Sequence, residues 1–393
     1  MLPSLSLPGW CTRSWWDGAW LLIALAGLAV SVWLMGRPEV GIPQPTAAPT
    51  SGLSADLALY RDLVGDVRQG RNYYAAARVR IPAYGFPIDS PLNWRLPTTA
   101  WLLAALPSLA WGQALLVTLS LAVLALGLYP PMRSGGPVRG WLLVILWAGV
   151  LRWALDGYAF LAQEPWAAAL IAGSLAASYL GERRVRWQWL SAALGTAALL
   201  MRELALPFCL IMAVQHWVCR RWTLALLWTG GIALFTVYYF WHLEQIHAQW
   251  ALAGVSGGAG VSQWLRLGGL AFVLRTLRMN GWFFNAPAWL LWLYLVLAAY
   301  GLGRARNATT QAAGWSLVLY VLAFAVVGRP ENLYWGLVPA PLLALGVVEG
   351  AWRVLQPACR ADERDEEADA WQADSPDLPP TAIRPPPIRP TTV

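Results

Sequence analysis

The feature that most limits what this chain can become is a succession of apolar runs, each near the length of a membrane span and each closed by a short loop. A span needs about 20 apolar residues. About ten such runs lie near 19–36, 110–129, 140–157, 165–181, 187–201, 204–219, 222–241, 282–302, 313–328 and 334–352. Only 12% of the 393 residues are charged and 58% are hydrophobic, against about 25% charged in an ordinary soluble domain. The expectation is an all-α, polytopic membrane protein of about ten helices. The first run, Ala19 to Met35, is followed by Gly36-Arg37-Pro38-Glu39 rather than a small-x-small cleavage site, so it reads as an uncleaved span and not a signal peptide.

Arginine sets the orientation. All 28 basic residues are Arg. Arg13, Arg133 with Arg139, Arg183 with Arg184 and Arg186, Arg220 with Arg221, Arg304 with Arg306, and Arg353 with Arg360 occupy every second connection. That alternation follows the positive-inside rule and predicts both termini in the cytoplasm; the absence of Lys reads as a GC-rich bacterial coding sequence, so the expected membrane is a bacterial inner membrane. The net charge of +7 is scattered over short loops, with no basic surface interleaved with aromatics, so nucleic acid is not an expected partner. Membrane lipids are. Of the four cysteines none falls in an outer loop, and no disulfide framework is implied.

The domain plan is a cytoplasmic N-terminus (1–18), a transmembrane domain (19–352) and a tail (353–393). The tail combines "CRADERDEEADAW" with "PPTAIRPPPIRP", a composition too polar and Pro-rich to fold alone. The remaining connections face outward. The first, 37–95, is long and holds a predicted surface helix at 54–69. Ser54 is its expected N-cap and Gly70 its C-terminal stop. Leu57, Tyr60, Leu63, Val64 and Val67 form its apolar stripe, with Arg61, Asp62, Asp66 and Gln69 on a solvated face, so that it lies flat on the membrane. Leu96 to Pro107 is too short to span and reads as interfacial. A second long outer loop is expected at 242–281.

Unusual polar residues collect on that outer side. Asp56 is in the first turn of the helix and in line with its stripe, where the helix dipole favours its ionised form. A carboxylate so placed suits a base acting on a hydroxyl. Asp156 and Glu164 flank one short connection and are expected to meet. Arg202 and Arg329 are candidates to hold a phosphate, which guanidinium matches in geometry. Tyr60, Tyr73, Tyr74, Trp94 and Arg95 are candidate contacts for an acceptor or sugar. His242, Glu244 and His247 make only a weak metal pattern. No metal site or cofactor is expected, and nothing in the sequence calls for a divalent cation.

The stretch "DLALYRDLVGDVRQGRNYY", followed by "NWRLPTTAWLLAALP", resembles the first outer loop of the GT-C fold, the integral-membrane glycosyltransferases that use polyprenyl-phosphate sugars. The segments "RELALPF" and "GRPENLYWG" are similar to parts of bacterial proteins of that type. The resemblance implies transfer of a sugar from a polyprenyl-phosphate donor to an acceptor at the outer (periplasmic) face. It places the first-loop acid at Asp56 and a second acid at Asp156 or Glu164. The first loop lacks the adjacent acidic pair that such loops carry. Two other readings remain: a lipid or glycan transporter or flippase, which calls for charged mid-bilayer residues and repeated halves, and a noncatalytic assembly protein.

Overall fold

The computed structural model describes residues 54–181, 184–255, 268–305, 307–328 and 330–355, apart from the side chains of 129–136 and 330–331. The predicted first span, Arg329 and most of the tail lie outside the described residues. Every regular element among those described is helical.

The polar segment after residue 53 folds as three short helices. α1 (Ala55–Arg68) starts where predicted, with the Ser54 side chain accepting from the Leu57 amide at 3.4 Å. Gly70 ends it at φ +82, a conformation that disfavours any residue with a Cβ. α2 (Tyr73–Ala83) is capped by Asn72, whose side chain accepts from the amides of Tyr74 and Ala75. α3 (Thr98–Ala105) follows. Leu63 and Val64 of the predicted stripe are buried, and they pack inward beside Leu96, Thr99 and Ala100.

The opposite face of α1 is only in part the solvated face expected: Gln69 is exposed and Asp66 is not. Asp66 is only 3% exposed. It accepts from Arg80 Nε at 2.8 Å and Nη2 at 3.1 Å, and from Arg71 at 2.8 Å. Asp62 accepts from the Tyr84 hydroxyl at 2.7 Å. These acids bolt α2 onto α1, because a carboxylate removed from water must find charged donors.

Helical backbone bonding runs through α4 (Leu109–Leu151). Gly127 nonetheless lies against the ring of Trp147, and straight helix would hold two residues so far apart in sequence about 30 Å from each other. The chain therefore reverses between them, and α4 is a helical hairpin. A Cβ at position 127 would collide with the indole. α5 (Gln163–Gly181) is buried on every side from Gln163 to Ser178, and its alanine-rich surface lets α6 (Val185–Met201) pack closely. α7 (Leu206–Val218), α8 (Trp222–Ala253), α9 (Gly269–Leu277), α10 (Ala288–Gly303) and α11 (Ala308–Val326) follow, and a last helix begins at residue 340.

Among the described residues four helical stretches have the length and apolarity to cross a membrane: Leu109–Leu128, Pro137–Leu155, Trp222–Ala253 and Ala308–Val326. Glu203–Val218 and Ala288–Gly303 are shorter apolar helices. The spans turn large apolar side chains outward, among them Val237 at 69% and Leu226 at 64% exposed, as lipid-facing helices do and water-facing ones rarely can. The described residues of the expected outer loop at 242–281 are largely helical instead. α8 runs on to Ala253, and its 32 residues extend about 48 Å, well beyond a hydrocarbon layer of about 30 Å. That overhang meets α2, where the Tyr74 hydroxyl lies 2.8 Å from His242 Nδ1.

Candidate functional site: a buried arginine and carboxylate cluster

Four parts of the fold bring charge to one end of the bundle. α1 supplies Asp56 and Tyr60, the segment before α3 supplies Arg95, the start of α5 supplies Gln163 and Glu164, and the α6–α7 turn supplies Arg202 and Glu203. Tyr334 and Asn332 join them from the 3-10 turn Pro330–Leu337. Antiparallel packing of α5 and α6, seen in the 2.7 Å bond from the Ser174 hydroxyl to Ser191 O, sets the first turn of α5 beside the last turn of α6.

Arg202 is the centre, at 1% exposure. Its Nε lies 2.9 Å from Glu164 Oε1 and its Nη1 lies 3.1 Å from Glu203 Oε1. Nη1 also donates to Gln163 Oε1 at 3.1 Å, and Gln163 in turn donates to Leu96 O at 2.6 Å. Nη2 is buried with no hydrogen-bond partner among the described residues, as is Asn332 Nδ2. A guanidinium withdrawn from water is costly unless paired. The two glutamates provide that pairing and leave one edge of the cation with unused donors.

Arg95 is held differently. Its Nε donates to the Tyr60 hydroxyl at 2.9 Å, its Nη2 to the Tyr334 hydroxyl at 2.7 Å and its Nη1 to Leu92 O at 3.3 Å. Tyr334 passes a bond to Asn332 Oδ1 at 3.1 Å. The guanidinium is thus clamped by neutral oxygens. Burial holds the Tyr60 phenol protonated far above its ordinary range, against the pull of Arg95 and with the help of the nearby Asp56 carboxylate.

Asp56 has no hydrogen-bond or ion-pair partner among the described residues. Burial raises its pKa, and the positive charges of Arg95 and Arg202 offset only part of that rise. The preference of the helix dipole for the ionised form is thus opposed by loss of water, which sets the direction of the shift. The result is a carboxylate moved towards the range of a working base, with two cations within electrostatic reach.

Of the other candidates, Tyr73 supports the cluster by donating to Arg95 O at 2.7 Å. Tyr74 and Trp94 stand behind it. His242 Nε2 is 3.1 Å from Trp94 O and Nδ1 faces Tyr74, so both ring nitrogens are engaged and the weak metal pattern loses its first member. Asp156 does not meet Glu164. The 3-10 turn Ala159–Leu161 separates them, and Asp156 lines a different cavity with Arg152 and Trp282. Arg329 lies outside the described residues. Gln163, Tyr334 and Asn332 were not anticipated, although each adjoins a residue or motif that was. The cavity beneath Tyr60, Arg95 and Gln163 measures about 20 Å³, space for about one water.

No family model, curated protein or solved structure matches this chain. Its class follows from the fold itself. It is a helical transmembrane protein with a buried arginine and carboxylate cluster at one end of its bundle.

Proposed function

We propose that the protein is an integral-membrane glycosyltransferase that moves a sugar from a polyprenyl-phosphate donor to an acceptor hydroxyl at the outer face. The observation that carries the reading is the convergence of Asp56, a carboxylate with a raised pKa, on Arg95 and the unpaired edge of Arg202. Displacement at an anomeric carbon needs a base for the attacking hydroxyl and positive charge for the departing phosphate. Asp56 takes the acceptor proton as the new glycosidic bond forms. The C–O bond to the lipid phosphate breaks, and its electron pair stays on the phosphate, facing Arg95 and Arg202 Nη2.

Glu164 and Glu203 fix the position of Arg202. Tyr60 and Tyr334 do the same for Arg95. The topology that suits this reading has ten spans with both termini cytoplasmic, which puts the cluster outside. Reporter fusions after Arg186 and Arg306 then read cytoplasmic, and a fusion near Gly258 reads external.

Cells lacking the protein should accumulate a polyprenyl-phosphate sugar and lose one residue from a surface glycan. Membranes containing the protein should restore transfer from that lipid. An unchanged profile of lipid-linked sugars and surface glycans overturns the proposal.

A further inference from the structure

A second site lies at the end of the second arm of the α4 hairpin, where the chain continues as the 3-10 turn Arg152–Leu155. A cavity of about 480 Å³ is lined there by Arg152, Trp153, Asp156, Trp282, Phe284 and Asn285, within the range of about 300–1,000 Å³ for small-molecule sites. Three aromatic rings make its walls. Trp153 and Phe284 meet edge to face with centroids 6.0 Å apart, and Trp282 and Phe284 remain 55% and 48% exposed.

Indoles at a membrane boundary ordinarily turn their N–H groups towards water and headgroups. Here both are spent inside the protein. Trp153 Nε1 donates to Met279 O at 2.8 Å, and Trp282 Nε1 donates to Ile145 O at 2.7 Å. The rings are thereby locked in orientation, and what they offer a ligand is their faces and edges rather than their N–H groups. Around them stand a guanidinium, a carboxylate and a carboxamide. Arg152 Nη1 donates to Gly281 O at 3.3 Å, and its guanidinium carbon lies 5.8 Å from the Trp153 centroid. The exposed carboxylate of Asp156 and carboxamide of Asn285 have no hydrogen-bond partner among the described residues.

We propose that this cavity binds an uncharged saccharide. A sugar ring presents two chemistries. Its C–H face is slightly positive and packs on the negative face of an aromatic ring. Its hydroxyl rim needs planar groups that both donate and accept, which Arg, Asp and Asn supply together. The charges of Arg152 and Asp156 cancel, so the lining favours a neutral ligand over a phosphate or an acidic lipid headgroup. The inference does not require the transfer reaction. If that reaction is correct, this is a place for the glycan acceptor away from the reacting bond.

The test uses the full chain in phosphatidylcholine nanodiscs, titrated calorimetrically with neutral linear trisaccharides of glucose, galactose and mannose. A parallel arm incorporates a glycolipid with a neutral trisaccharide head. At least one saccharide binds in one arm, and binding to the glycolipid alone identifies a lipid-anchored ligand. Asp156→Ala and Trp282→Ala each weaken binding about tenfold, the effect of one lost polar or stacking contact. Asp156→Ala removes an exposed side chain without a partner, so its folding is safe and helix content checks it. Asp56→Asn leaves binding unchanged, which separates this site from the transfer reaction. No binding in either arm overturns the proposal. So does binding that both variants leave intact, or stronger binding of phosphatidylglycerol than of any saccharide.

Discussion

Asp56 and Asp66 lie on the same helix and experience opposite environments. Asp66 is nearly sealed from water yet surrounded by donors, and the side-chain hydrogen bond from Arg80 leads the effects that lower its pKa. Asp56 is more open but is bonded to nothing described, and burial raises its pKa. One acid has given up its chemistry to hold α2 on α1. The other has kept its proton affinity and faces two cations that it does not touch. On the proposed function the contrast separates a fastening from a working group more clearly than exposure alone, since the less exposed of the two is the fastening.

Four experiments sharpen or break that contrast, the largest effect first. Asp56→Asn should cut transfer by about 10²–10⁴-fold, the loss expected for a general base, with normal membrane insertion. Near-normal transfer from the lipid-linked donor would move the role to Glu164. Arg95→Lys keeps the charge but cannot reach both Tyr60 and Tyr334 with a planar fork. A fall of about 10²-fold in kcat is expected, on the scale of losing one donor that stabilises developing charge.

Asp66→Asn should leave transfer per folded molecule nearly intact while lowering unfolding stability by about 2 kcal/mol, as when a charged hydrogen bond is lost. Denaturant titration in detergent measures it. Lost turnover at unchanged stability would erase the distinction between the two aspartates.

The smallest effect is in pH dependence, and the two acids have opposite signs. Asp66, with a lowered pKa, contributes stability above its ordinary value of 3.8 that is lost as pH falls through the depressed value. Asp66→Asn therefore loses its disadvantage in acid. Asp56, with a raised pKa, binds its proton more tightly when folded, so the folded state loses stability as pH rises from 3.8 through the raised value. Asp56→Asn should be the more stable protein near neutrality, with the gain vanishing below 3.8. Melting curves of both variants across acid pH decide this. The transfer rate should rise with pH through an inflection above 3.8.

Local order was legible in the chain because it depends on neighbours in sequence. Ser54 and Gly70 mark the ends of α1 by capping and backbone freedom, and several apolar runs fall on observed helices within a few residues. Hydropathy ends the run near Trp241 because His242, Glu244 and Gln245 are polar, but none of them breaks a helix, and α8 continues to Ala253.

The cluster shows where such reading stops. Asp56, Glu164 and Arg202 were visible as polar residues stranded among apolar ones, a pattern that costs free energy and so stands out. That Arg202 joins Glu164 across two helices, and that Asp156 does not, depended on how α5 and α6 dock. No local pattern encodes that docking. The same holds for the solvated face assigned to Asp62 and Asp66: periodicity reports which residues share a face of α1, but not that α2 would arrive to cover it. Sequence alone determined the all-helical, membrane-spanning class, because a bilayer leaves the backbone few alternatives. Tertiary structure alone decided which charges meet and which lose water, because these are set by contacts between residues far apart in the chain.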